Sequence, residues 1–238
     1  MRKHTALRRS ASALTRLALV FGCLAGPLEA GAFSVTATDL PDGSSHVDLG
    51  TAEVDASGGS FATRSLYGIV GTGVSVGYVA GEIDTSGESI TFRFASPGVL
   101  TSLDLMRLYL ASTYGDSANE AARVVVHSGE ASYEGMLVVA SATAATWSFV
   151  GGGPVAAVSV PTAGGVGWFS IASPFGDLEI DSLELLPVDT SGQADHRNAD
   201  YSFVALSMGR TQPVPEPDPA LLVGSGLGGL LLTRRKRA

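Results

Sequence analysis

Between Phe33 and Gln212 the apolar side chains recur at alternate positions, in short runs cut off by Gly and Pro. A strand turns successive side chains to opposite faces, whereas an amphipathic helix needs apolar positions three and four apart, so this pattern points to β structure. Ile90, Phe92 and Phe94 share one face, Thr91 and Arg93 the other, and Gly87 and Pro97-Gly98 bound the run. From Leu100 to Leu110 both faces are apolar, with Leu103, Leu105 and Tyr109 on one and Met106, Leu108 and Leu110 on the other. That segment reads as a central strand between two layers, with helix as the competing assignment. Further strands are expected at 123–127, 136–140, 146–150, 155–160, 167–171 and 201–208, separated by turns such as Ser128-Gly129-Glu130 and Ser173-Pro174-Phe175-Gly176. Another spans 178–186, where Leu178, Ile180, Ser182, Glu184 and Leu186 fall on one face. The expected architecture is all-β: a single jelly-roll-like β-sandwich over 33–210.

Cys23 is the only cysteine, so a domain beginning near Phe33 has no disulfide and must rest on its own core. About 180 residues suffice for that. Of the 15 Lys and Arg, five lie before residue 33 and four after 233, leaving six arginines between. Glu29, Glu216 and Asp218 are the only acidic residues outside 33–213, which leaves 20 of 23 inside and a net charge of −14 there. Such a field repels phosphate backbones and argues against nucleic acid as a partner.

Both ends carry addresses. Arg2, Lys3, Arg8, Arg9 and Arg16 precede the apolar Leu17–Leu24, and Ala30-Gly31-Ala32 supplies a small-x-small cleavage site. Residues 1–32 therefore read as a signal peptide, engaging the secretion translocon and signal peptidase. Val20-Phe21-Gly22-Cys23 loosely matches a lipoprotein box, which makes lipidation at Cys23 the alternative. At the other end, 211–219 is a stiff Pro-rich linker containing Val214-Pro215-Glu216-Pro217. Residues 220–238 follow as a short uncharged run ending in Arg234-Arg235-Lys236-Arg237. As a helix the run covers roughly 20 Å against about 30 Å of hydrocarbon, and it is expected to be a short transmembrane helix with its basic end in the cytoplasm.

The order of Pro215-Glu216-Pro217, apolar run and basic cluster resembles the PEP-CTERM sorting signal; Asp218 departs from the usual pattern. The resemblance implies recognition by an exosortase, transient residence in the inner membrane, loss of the tail, and delivery to the cell surface or extracellular matrix with exopolysaccharide and biofilm. The strands at 88–94, 103–109 and 178–184 are similar to those of galactose-binding and carbohydrate-binding-module jelly rolls, a likeness of fold only.

No residue pattern here marks an enzyme. His46, His127 and His196 lack zinc spacing and stand beside no nucleophile motif. Asp42-Gly43-Ser44-Ser45-His46-Val47-Asp48 reads either as a plain turn or as a set of oxygen ligands for Ca2+. Glu179 and Asp181 read as a solvated acidic face, since glycoside hydrolysis also needs a cleft and a raised pKa. Trp147 and Trp168 are each either core or a sugar-stacking surface, because an indole offers a flat apolar face with a polar edge. The expected function is a non-catalytic matrix protein. The alternatives are a carbohydrate-binding module with a defined sugar site and a secreted hydrolase whose site carries no known motif.

Overall fold

The computed structural model describes residues 32–75, 80–113, 117–152, 155–159, 167–188 and 200–209. The signal segment up to Gly31, residues 189–199, the sorting motif and the basic tail lie outside these residues. Strands make up nearly all the regular secondary structure of the described residues. In order these are β1 (Phe33–Thr36), β2 (His46–Asp48), β3 (Ala52–Ser57), β4 (Phe61–Leu66), β5 (Ile69–Val74), β6 (Ser89–Met106) and β7 (Ala121–Ser128). They continue with β8 (Ala131–Ser141), β9 (Ala144–Phe149), β10 (Val155–Ser159), β11 (Phe169–Ala172), β12 (Glu179–Pro187) and β13 (Ser202–Gly209). A 3-10 turn at Ala37–Asp39 is the one helical element among the described residues.

The expected jelly-roll sandwich does not form. Hydrogen bonding instead joins the strands in one sheet, along the path β11-β10-β9-β8-β7-β12-β6-β13-β5-β4. β1 adds to β13, β3 to β6 and β2 to β3, and β11 also reaches β6. The cause is β6. Pro97-Gly98 was expected to end a strand, yet the chain runs extended through it for 18 residues. The first half of β6 pairs with β3 and β12, and the second half with β13 and β11, so one strand carries two sets of neighbours.

Pro97 leaves its mark as a bulge. Arg93 pairs with Ser182 and Gly98 with Ile180, so Phe94 to Pro97 loop out where proline has no N–H to give. The same irregularity shifts the faces of β12: Ile180 is buried, but the next buried side chains are Leu183 and Leu185. The expected single face of Leu178, Ile180, Ser182, Glu184 and Leu186 is therefore broken at the bulge. The segment from Leu100 is strand, not helix, and ends at Met106, with Arg107 taking a left-handed φ of 68°.

The core gathers the alternate residues of these strands, including Phe61, Phe92, Phe169, Phe203 and Trp147. Gly135 on β8 makes room for the indole, since a Cβ there would lie 2.1 Å from the Trp147 ring. Phe175, from the loop after β11, meets the same indole edge-on, with centroids 5.4 Å apart. Such a pair adds about 0.5–1.5 kcal/mol beyond the area it buries.

The expected C-terminal transmembrane helix gains no support. Among the described residues no helix is long and apolar enough to cross a membrane, and 220–238 lie outside them. The expected location, held in the inner membrane by that anchor before passing to the surface, rested on the helix and is corrected with it.

Candidate functional site

A cleft lies beside the bulge in β6. Phe94 and Ala95 leave the register with β12, yet Phe94 stays paired with Ala52 of β3, and a space of about 400 Å³ lies alongside this pairing near the β2–β3 turn. Its lining is Asp48, Gly50, Ala52, Glu53, Arg93, Phe94 and Ala95. Ala52 and Phe94 turn into the core, while Asp48, Glu53 and Arg93 stand exposed on the opposite face of the same strands. Gly50 turns the chain between β2 and β3 at φ 75°, with open space where a side chain would stand.

The charges around the cleft are unequally partnered. Glu53 is the direct cross-strand neighbour of Arg93, but the guanidinium pairs with Asp55, the next residue on the same face. Asp55 also takes a 2.9 Å hydrogen bond from His46 Nδ1. That bond, joined by the Arg93 guanidinium, holds the Asp55 carboxyl below its ordinary range against the opposing effect of burial. Asp48 accepts the Gly50 N–H at 2.7 Å, which fixes the turn. Glu53 makes no hydrogen bond or ion pair within the described residues.

A second group of charges is buried. Glu82, 2% exposed, meets Arg107 and, at 3.3 Å, Arg64. Its carboxyl also meets that of Asp200, and two acceptors can be joined only if one of them holds a proton. Burial, followed by the Asp200 contact, raises Glu82 to about 8 despite the two arginines. Nearby, Glu88 accepts the Asp84 N–H at 3.0 Å and is pushed to about 7, chiefly by burial. Gly73 is pressed against the Glu82 main chain, where a Cβ would approach to 2.4 Å. This group joins the segment before β6 to the end of β6 and the start of β13, so it acts as a structural clamp.

No family model, curated protein or solved structure matches the chain.

The sequence-expected residues are scattered. Trp147 is fully buried and donates its Nε1–H to the Pro174 carbonyl at 2.6 Å, so its ring faces offer no surface to a sugar. Trp168 is half-buried in a separate apolar group with Met106, Val204, Leu66 and Ile69. The two tryptophans form no common platform.

In the Asp42–Asp48 loop the carboxylates serve different turns. Asp42 accepts from the Thr63 N–H at 2.6 Å and from its hydroxyl at 3.0 Å, while Asp48 holds Gly50. No group of three or more His, Cys, Asp or Glu among the described residues is arranged to hold a metal. Asp181 accepts the Gly129 N–H at 2.7 Å, tying β12 to the β7–β8 turn. His127 lies on the exposed side of β7, His46 is at Asp55, and His196 lies outside the described residues, as do Pro215-Glu216-Pro217 and the Arg234–Arg237 cluster.

Sequence reading pointed to neither the cleft nor the buried clamp. Pro97-Gly98 was the available signal for the first, because a proline inside a strand demands a bulge or an edge.

Proposed function

We propose that this chain is a non-catalytic exported protein that an exosortase processes at Pro215-Glu216-Pro217 and that associates with exopolysaccharide. The observation that carries the proposal is the fixed order at the C-terminus: the tripeptide, the uncharged run and Arg234-Arg235-Lys236-Arg237. The N-terminal basic, apolar and small-x-small succession supports export through the translocon and removal by signal peptidase. No membrane anchor is part of the proposal. The body of the protein suits an associating role: its acidic side chains hold turns and ion pairs, and an open cleft lies beside the β2–β3 turn.

The test is the intact mass of the mature protein from an exosortase-containing host and from its exosortase deletion. Loss of the segment beyond Pro215-Glu216-Pro217 only where the enzyme is present is the expected result. An intact tail in both hosts refutes processing. Retention of the mature protein on isolated exopolysaccharide tests the second half separately.

A further inference from the structure

We infer that segment 81–84 is a latch that opens by itself, ahead of the rest of the sheet, as Glu82 gives up its proton. The segment is fastened differently from the strands around it. It meets them through isolated bridges, Glu82 to Val74 and Ile83 to Tyr201, whereas β6 and β13 share a ladder of seven paired positions. Its main-chain bonds are Val74 N–H to the Glu82 carbonyl at 2.9 Å, Gly81 N–H to the Val74 carbonyl at 3.0 Å and Ile83 N–H to the Tyr201 carbonyl at 2.7 Å. The Ser202 hydroxyl adds a bond to the Gly81 carbonyl at 2.7 Å, and β5 meets β13 only where Thr72 lies opposite Phe203. A segment held by scattered bonds opens locally, at a lower free energy than the whole fold.

The charges around Glu82 decide when it opens. Arg64 faces it from β4, Arg107 from the end of β6 and Asp200 from just ahead of β13. Asp84 and Glu88 follow it in the chain, and β5 presents only Gly73 and Val74. Two cations thus meet four carboxyls, so protons on Glu82 and Glu88 balance the group, and loss of both leaves two negative charges. Unpaired charge is costly in a buried site and ordinary in water, so ionisation favours the open segment. Arg107 pulls the same way. It holds a left-handed φ of 68°, strained for a residue with a side chain, against its ion pair with Glu82, and opening relieves that strain. Burial and the Asp200 contact keep the proton on the closed Glu82 up to about 8, while a carboxyl released to water loses it near 4.5. Between those limits the opening equilibrium grows about tenfold per pH unit, and above them it levels off.

The experiment is amide hydrogen exchange of the full chain from pH 5 to 9, each rate referred to that of the unfolded chain, at several denaturant concentrations below the unfolding transition. The amides of Val74, Gly81 and Ile83 are expected to exchange faster than those of β7, which lies between β8 and β12. Their exchange should also respond little to denaturant, because a local opening exposes little surface. Their protection should fall about tenfold per pH unit from pH 5 to 8. Glu82→Gln is expected to abolish that slope. Asp200→Asn is expected to end it at a lower pH, because it removes one of the two causes that keep the proton on Glu82.

Equal protection and equal denaturant dependence at Ile83 and in β7 would overturn the latch, since the segment then opens only with the whole fold. Protection of the three amides that ignores pH, or the wild-type slope in Glu82→Gln, would overturn it as well. If Glu82→Gln does not fold, Asp200→Asn decides: a slope that ends at the wild-type pH denies Glu82 its control of the opening.

Discussion

Raising the pH from 5 to 8 should loosen this protein, and Glu82 is the main reason. An ordinary glutamate titrates near 4.5, but burial and the Asp200 carboxyl hold the folded Glu82 proton to about 8. A group whose folded pKa is raised stabilises the fold fully below the unfolded pKa, and that stability is lost as pH climbs through the folded pKa. At about 1.4 kcal/mol for each pH unit, the interval from 4.5 to about 8 amounts to about 5 kcal/mol. Glu88, raised to about 7 by burial, acts in the same direction over a shorter interval.

The perturbation is Glu82→Gln, whose amide keeps the donor and acceptor of the protonated acid but does not titrate. Denaturant unfolding at each pH from 5 to 9 gives the stability directly. Wild-type stability is expected to fall across pH 5–8, with the variant's slope shallower by about 1.4 kcal/mol per pH unit. At pH 8.5 and above the variant should be the more stable protein. A variant with the wild-type slope, or a wild type that gains stability toward pH 8, would refute the account of the clamp.

Two packing predictions follow from single contacts. Gly135→Ala places a methyl group on the Trp147 ring and within 3.1 Å of Phe175, and should cost about 1–3 kcal/mol in denaturant unfolding; a neutral result would mean that the indole has room to move. Tyr201→Phe removes the hydroxyl that donates to the Leu186 carbonyl at 3.0 Å in a fully buried site, and should lower stability by about 1 kcal/mol; an unchanged unfolding midpoint would deny that bond a net role.

The parts of this fold legible in the sequence are those set by neighbours one and two residues away. The alternation of Ile90, Phe92 and Phe94 appears as a buried face, and of the two readings open for Trp147 the structure takes the core. What lay hidden depends on partners far along the chain. Pro97-Gly98 carries every local mark of a strand end, yet β6 passes through it because β3, β11, β12 and β13 supply pairing on both sides. The bulge that results changes which side of β12 is inside, so a strict count by twos fails between Ile180 and Leu183. The cleft combines a hairpin near residue 50 with that bulge, and no local pattern contains both. The neighbours of Glu82, Arg64, Arg107 and Asp200, come to it from three separate segments, so no local pattern marks it.

β13 is the last described strand to be synthesised, and it pairs with β1, β5 and β6. Phe33 finds its register opposite Met208, so the first described strand waits for almost the last described residue. Pairing over such separations makes folding slow, in the millisecond-to-second range typical of β topologies. A chain cut short before Ser202 would carry three bare strand edges, each a template for joining another molecule. The sheet thus distinguishes a finished chain from an unfinished one: β1, β5 and the C-terminal half of β6 stay incompletely paired until the final strand arrives.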